Sequence, residues 1–395
     1  MDDELTAWLP KKARSRWTEL EFLLGQAIRQ VKEAWHDTRR VASETGVSRL
    51  RILRELMLLN ATQSLGIRPY FQYRLFNPAL RPEQKRRYLA DTPWANARLW
   101  STLNPKQYAC LYANKWVFNH FFRASGLPLA RIFGIYHPLL GRTIDGHQLR
   151  SSSQLRDWLP SVSQNGFVFK PIQGAKGHNV LVFAGPSAQD PNVFTTLAGE
   201  GYNAERLAAF AEGTPEPKLH RPRAAGMAFL IEERIRPHPA LASFVGPTLC
   251  SVRVQTIVAL DGTPRIIATV FKLQPKAIGV DHLIYGAVGC WVDLDSGVLG
   301  PGRTRASLED VTLIPDTTTS FVGFQLPDWP AVKDLALRAA GAFPWARSIG
   351  WDIAISDQGP VLIEGNEEWS PSLIQIPAPY GLMTGEFEEL CRSLK

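Results

Sequence analysis

Gly350-Trp351-Asp352-Ile353-Ala354-Ile355-Ser356-Asp357-Gln358-Gly359-Pro360-Val361-Leu362-Ile363-Glu364-Gly365-Asn366 is the stretch on which the reading of this chain turns. Two apolar runs flank Asp357-Gln358-Gly359, a turn signal, so the stretch predicts a β-hairpin. In a hairpin centred near Gln358, Asp352 on the first strand lies almost opposite Glu364 on the second. Asn366, two residues on, emerges on the same face as Glu364. Two carboxylates and an amide oxygen then converge beside Trp351, Ile353, Ile355, Val361 and Ile363. Acids at such an apolar face cost free energy unless something pairs them. Three hard oxygen donors with positions left open suit Mg²⁺ held jointly with substrate phosphates. The competing reading is a surface hairpin whose acids share no task.

Three further patches lie upstream. In Phe167-Val168-Phe169-Lys170-Pro171-Ile172-Gln173-Gly174-Ala175-Lys176-Gly177 a strand ends in a lysine and enters a glycine-containing loop. Glycines let backbone N–H groups approach phosphate oxygens, and Lys170 and Lys176 add charge. Neither GxxxxGK[ST] nor GxGxxG is present, so an ordinary hairpin turn remains open. Phe229-Leu230-Ile231-Glu232-Glu233-Arg234-Ile235 is an apolar strand that abruptly becomes charged. It is either a strand leaving the core or a hinge whose backbone reads a purine edge, with a carboxylate near the ribose. Arg253 falls inside the apolar run Ser251–Ala259, and Lys272 closes the run Arg265–Leu273. Cations at a core edge face anions. They either steady a transferred phosphoryl group and an acyl phosphate or pair with a strand neighbour such as Asp293.

At 395 residues the chain is long enough for two or three packed units, and 45% hydrophobic with 21% charged residues is a globular composition. Residues 1–100 hold 18 Lys and Arg against 11 Asp and Glu, whereas the rest hold 26 of each. The net charge of +7 therefore belongs to the first quarter, which disfavours a nucleic-acid-binding face spread over the molecule. Cys110, Cys250, Cys290 and Cys391 are far apart, without a CxxC pair, which argues against a zinc ribbon or disulfide framework. No apolar run is long enough for a membrane span, and Asp2-Asp3-Glu4 is wrong for a secretory signal. A soluble, reduced, cytoplasmic protein is expected.

Residues 1–100 read as a helical basic region. Trp17, Leu20, Leu24, Ala27, Ile28, Val31 and Trp35 recur at helical spacing. A second helix from about Ser48 to Leu65 puts Leu50, Leu53, Met57 and Ala61 on one face expected to be buried. The basic residues are then a solvated face, or a surface for an anionic lipid or a phosphate-bearing substrate. Residues 101–165 read as a linker subdomain with a helix from Asn114 to Ser125. Residues 166–247 and 248–395 read as two strand-rich units. Gly185 to Arg223 is expected to be an insertion with one short helix near Glu205–Glu212, and a helix from Trp329 to Ala342 precedes the Trp351 strand. Hairpins without regular βαβ alternation make the class α+β.

Lys115 in a helix, Lys170 in Phe169-Lys170-Pro171, the Gly174–Gly177 loop, the Glu232-Glu233 hinge, Arg253, then Asp352, Glu364 and Asn366 come in an order that resembles the ATP-grasp superfamily. The chain is most similar to its sugar-transfer-associated group, related to α-L-glutamate-ligase-like proteins. Arg236-Pro237-His238-Pro239, Val280-Asp281-His282 and Gly286-Ala287-Val288-Gly289 add to the likeness. Cys250-Ser251 replaces the group's usual Asn-Thr, Asp281-His282 its Asp-Asn, Gly286-Ala287 its Gly-Gly, and Lys272 its more usual Arg. The resemblance implies an ATP-grasp fold, two α+β subdomains clasping ATP. It implies that Lys115 and Lys170 hold ATP phosphates and that Gly174, Lys176 and Gly177 form a lid loop. Glu232, Glu233, Arg234 and Ile235 would line the adenine and ribose pocket. Asp352, Glu364 and Asn366 would hold Mg²⁺, while Arg253, helped by Lys272, would neutralise the γ-phosphate and acyl phosphate. The implied activity is ATP-dependent ligation of a small-molecule carboxylate to an amine. Kinase-like phosphoryl transfer, or a nucleotide-binding docking partner for a carrier or anionic molecule, are the alternatives.

Overall fold

The computed structural model describes residues 31–174, 177–213, 227–274, 281, 283, 286–305 and 309–394. Lys176, Val280, His282 and the helical stripe from Trp17 to Ile28 lie outside the described residues.

Among the described residues two antiparallel sheets organise the chain. The first takes β1 (Ile132–Tyr136), β2 (Arg142–Thr143), β3 (Phe167–Pro171), β4 (Leu181–Pro186), β5 (Phe194–Thr196), β6 (Gly201–Tyr202) and β7 (Phe229–Glu233) in the order β2-β1-β7-β3-β4-β5-β6. Its core is aromatic. Phe167 on β3 pairs with Phe183 on β4 and stacks on it at 4.5 Å, and Phe169 stacks on Phe229 at 4.7 Å. The helix Ala204–Gly213 covers that face with Leu207, Ala208 and Ala211. One expectation changes here. The segment read as an insertion supplies β5 and β6 as well as the expected helix, because Phe194 and Tyr202 are single anchors in polar surroundings and leave no periodic signal. Residues 101–165 supply β1 and β2, and β1 pairs directly with β7.

The second sheet takes β8 (Ser251–Val258), β9 (Pro264–Leu273), β10 (Val288–Val292), β11 (Leu299–Arg303), β12 (Ser348–Ser356) and β13 (Gly359–Asn366) in the order β11-β10-β9-β8-β12-β13. The helix Trp329–Ala342 lies on one face, with Trp329, Val332, Leu335 and Ala339 packed among Val252, Val254, Phe271, Trp351 and Ile353. Strand alternation sends Ser251, Arg253, Lys272 and Asp352 to the opposite face. Part of that face is closed by Trp100, Trp369, Ile374 and Phe387 over Ile257, Ala268 and Val270. The rest is left to charged groups.

The predicted hairpin forms in the predicted register: Asp352 pairs with Glu364 and Gly350 with Asn366. A bulge follows, so that Ile353 pairs with Leu362. The skipped residue lets Glu364 share the face of Asp352 while Leu362 turns into the core. Gly365 opposes Trp351, whose indole N–H donates to Thr256 Oγ1 at 2.8 Å. A Cβ on Gly365 would stand 2.8 Å from Trp351 and 3.0 Å from Tyr112.

The N-terminal helices, residues 31–45 and Arg49–Gln63, pack through Val41, Ile52, Leu56 and Leu59 on Tyr70, Phe71 and Tyr88. The stripe of Leu50, Met57 and Ala61 that was expected to be buried is exposed instead, and Leu53 is only half-buried. Leucines on nearly every side of this helix allow two phases. Glu55 selects the observed one by accepting Lys85 Nζ at 2.7 Å and Tyr70 Oη at 3.1 Å.

Gly365→Ala is expected to destabilise the second sheet by about 1–3 kcal/mol through overpacking. An unchanged thermal unfolding midpoint would contradict the close approach of Trp351.

Candidate active site

Register builds the centre of the site. Arg253 on β8 is the cross-strand partner of Asp352 on β12. Its Nε donates to Asp352 Oδ1 at 2.7 Å and its Nη2 to Oδ2 at 3.0 Å, a bidentate pair. Lys272 Nζ lies 3.3 Å from Asp352 Oδ2 and 3.1 Å from Asp281 Oδ1. The other Asp281 oxygen accepts the backbone N–H and hydroxyl of Ser251, each at 2.6 Å. Burial opposes charge on Arg253, Lys272 and Asp352. The attraction of Asp281 and Asp352 nevertheless raises Lys272, that of Asp352 raises Arg253, and the two cations hold Asp352 well below the usual carboxylate range.

The cations do not use Asp293, the partner offered by the sequence. Asp293 accepts the N–H and hydroxyl of Ser296 at 2.8 and 2.6 Å in a tight turn. Lys272 pairs instead with Asp281, which no motif in the sequence ties to it. Thirty residues separate Asp281 from Ser251, and no short-range pattern links them. The hydroxyl of Ser251 does what a threonine could do there, so that departure from the family pattern keeps its hydrogen bond.

Glu364 extends the cluster on β13. It is the cross-strand partner of Asp352. Asn366 donates its amide N–H to the Gly350 carbonyl at 3.1 Å, which turns its amide oxygen to the other side. The hairpin end is fastened by buried Asn104, which donates to the carbonyls of Ser348 at 2.7 Å and Glu367 at 2.6 Å and accepts from the Ser348 N–H at 3.0 Å. Among the described residues no three His, Cys, Asp or Glu side chains gather as metal ligands. The set here is two carboxyls and an amide oxygen. Two adjacent carboxyls call for a cation between them, and all three donors are hard oxygens, so the residues fit Mg²⁺. Asp352 already shares both oxygens with Arg253 and Lys272. Glu364 and Asn366 would therefore be the principal donors.

The first sheet contributes the facing cations. Lys170 on β3 and Glu232 on β7 form a buried ion pair across adjacent strands. Lys115 opens the helix Lys115–Ala124, which Asn114 caps by accepting from Trp116 N and Val117 N at 3.0 and 3.3 Å. Lys115 Nζ donates to the Gly174 carbonyl at 2.9 Å, and its backbone N–H to Ile172 O at 2.9 Å. Surrounding protein lowers its pKa, with Glu364, Lys170 and Glu232 all in electrostatic range. Lys115 thus ties the charged ends of both sheets to one space. Gly174 and Gly177 have φ of +139° and +70°, conformations open to glycine.

The charged end of β7 leaves the core. Glu233 accepts the Arg131 N–H at 3.1 Å, and Arg234 and Ile235 are half-buried in the crossing to the second sheet. There the His238 N–H donates to Ile355 O at 2.9 Å and the Asp357 N–H to Arg236 O at 3.2 Å. Glu232 thus turns to Lys170 and its neighbour Glu233 to the Arg131 backbone.

Comparison with known proteins gives a family and several distant structures. Curated proteins yield no match. Among solved structures, the ADP complex of an N5-carboxyaminoimidazole ribonucleotide synthetase is 12% identical, with a TM-score of 0.37 over 72% of this chain and 53% of that one. Biotin carboxylase from Campylobacter jejuni is 11% identical, with a TM-score of 0.40 over 72% and 46%. A D-cycloserine synthetase is 13% identical, with a TM-score of 0.40 over 74% of both chains. The chain spans about half the length of the first two. The sequence profile described as sugar-transfer associated ATP-grasp matches residues 94–389, which takes in both sheets and every charged group of this site. On that match the chain belongs to the sugar-transfer associated ATP-grasp family, and its α+β architecture is the ATP-grasp fold.

Proposed function

We propose that the protein is an ATP- and Mg²⁺-dependent carboxylate–amine ligase serving a biosynthetic pathway for a sugar-linked or other secondary product. The observation that carries this reading is the buried Arg253–Asp352–Lys272 cluster, flanked by Glu364 and Asn366 and faced by Lys115 and Lys170. In this reading residues 166–247 act as a lid and 248–395 as the metal-bearing unit, joined to the helical region 1–100 through 101–165.

The reaction needs charge neutralisation and alignment more than acid–base chemistry. A carboxylate oxygen of the substrate bonds to the γ-phosphorus, the bond to the β-phosphate oxygen breaks, and ADP leaves. The amine then attacks the acyl carbon; phosphate departs and the amine loses a proton. Lys115 and Lys170 bind ATP phosphates, and Glu232 holds Lys170 in place until they arrive. Gly174, Lys176 and Gly177 close over those phosphates, while Glu232, Glu233, Arg234 and Ile235 border the adenosine. Arg253 places fixed positive charge where the transferred phosphoryl group and acyl phosphate develop negative charge, with Lys272 beside it. Asp281 and Ser251 hold Lys272 in position. Mg²⁺ held by Glu364, Asn366 and the remaining lone pairs of Asp352 would supply charge stabilisation of the triphosphate.

Product analysis tests the reading. Incubation with ATP, Mg²⁺ and panels of acids and amines is expected to yield ADP, free phosphate and an amide. A stable phosphoester without free phosphate would replace ligation by kinase-like transfer, and the absence of any Mg²⁺-dependent turnover would leave a nucleotide-binding role.

Arg253→Ala is expected to lower kcat by about 10²–10³ while nucleotide affinity survives, because the contact strengthens in the transition state. Arg253→Lys, which keeps a cation beside Asp352, should retain the fold and lose most of the rate. Collapse of nucleotide binding in either variant would move Arg253 from chemistry to binding.

Lys115 supplies a pH prediction. Its lowered pKa means that it loses its proton at a lower pH than an ordinary lysine, and binding needs the charged form. Nucleotide affinity should therefore fall as pH rises on the alkaline side, and Lys115→Arg should flatten that limb. An identical alkaline limb in Lys115→Arg, measured by titration calorimetry, would contradict this role.

A further inference from the structure

The polar site leaves one feature of the molecule without use. Val31 and Trp35 are 65% and 50% exposed, and Leu50, Met57 and Leu58 are 78%, 64% and 55% exposed. Single exposed apolar side chains need no explanation, but these fall as a stripe on each of two consecutive helices. They are largely the stripes whose spacing predicted burial. Along the first of these helices runs an open groove of about 660 Å³, lined by Val31 and Trp35 together with Lys32, Arg39 and Arg40, and by Arg49 from the start of the second. No carboxylate lines it among the described residues.

Among the described residues, few of these charges are paired. Arg40 has Asp37 at 3.3 Å and Arg51 has Glu55 at 3.0 Å. Among the described residues, Lys32, Arg39, Arg49 and Arg54 have no acidic partner within ion-pair distance. Arg54 lies one turn from both Leu50 and Leu58, so cation and hydrocarbon alternate on one exposed face. This face belongs to the quarter of the sequence that carries the entire net charge.

A partner for it must be both anionic and apolar. A soluble polyanion would satisfy the arginines and leave Leu50, Met57 and Leu58 in water. A nucleic acid would find one indole to stack on. The surface of an anionic bilayer meets both demands: headgroup phosphates pair with the cations, an indole rests at the interface, and aliphatic tips reach the acyl boundary. No helix among the described residues is long and apolar enough to cross a membrane, so attachment would be peripheral.

We propose that the groove and exposed stripes of the two N-terminal helices dock on an anionic lipid surface, with Lys32, Arg39, Arg49 and Arg54 taking phosphate headgroups and Trp35, Leu50, Met57 and Leu58 entering the interface. The docking needs no nucleotide and stands apart from the ligase reading.

Sedimentation of the full chain with vesicles tests it. Vesicles of phosphatidylcholine with about one-third phosphatidylglycerol should bind the protein, and pure phosphatidylcholine should bind it far more weakly. Added salt should weaken the binding by screening the surface charge. Each exposed cation near an anionic surface is worth about fivefold in affinity, so Arg39→Glu with Arg49→Glu should lower it about 25-fold or more. Trp35→Ala with Met57→Ser should lower it about tenfold. These side chains are exposed, so all variants should unfold at the parent temperature. Failure of the parent protein to bind the anionic vesicles would overturn the proposal, as would equal binding to pure phosphatidylcholine. Tighter binding to polyphosphate than to the vesicles would overturn it in favour of a soluble polyanion.

Discussion

The bidentate contact between Arg253 and Asp352 organises the rest of the structure. It joins two neighbouring strands through two side chains that are both buried, where charge is costly to place. Breaking such a pair leaves one buried charge without a partner, so its members have to be present together. Once they are, adjoining positions on the same face can hold further charge. Lys272 sits between Asp352 and Asp281, and Asp281 is itself held by Ser251. The hydrocarbon face of the same strands, against Trp329 and its helix, supplies the stability that lets the other face be polar.

The geometry of β12 and β13 turns this polar face into a site. Without the bulge after Asp352, strict alternation would send Leu362 to the charged side with Glu364. With it, the acid faces the cluster and the leucine packs below. Gly365 allows the strand to pass over Trp351 and Tyr112, and Asn104 fastens the far end. From the first sheet, Lys115 reaches the Gly174 carbonyl and feels Glu364. One ammonium therefore senses both halves of the molecule, the position a phosphate-binding lysine would need.

What the sequence made legible were features with short-range grammar. A turn signal between two apolar runs was enough to place Asp352 opposite Glu364, because hairpin register follows from the turn. Arg253 and Lys272 stood out as cations inside apolar strand runs. The partner of Lys272 was hidden because Asp281 reaches it from another segment. β5 and β6 were hidden because each rests on one aromatic residue. The phase of the helix Arg49–Gln63 was misread because its leucines fit two faces, and the choice falls to Glu55, Lys85 and Tyr70. The phase that the sequence favoured is the one left facing solvent, which gives the N-terminal helices their exposed apolar surface.

The most direct measurement is a crystal structure with Mn²⁺ and a non-hydrolysable ATP analogue, read through the anomalous signal of the metal. The account predicts a peak coordinated by Glu364 and Asn366, beside Asp352, bridging to phosphate oxygens that also meet Lys115 and Lys170. A nucleotide bound elsewhere, or a metal peak away from this hairpin, would contradict it.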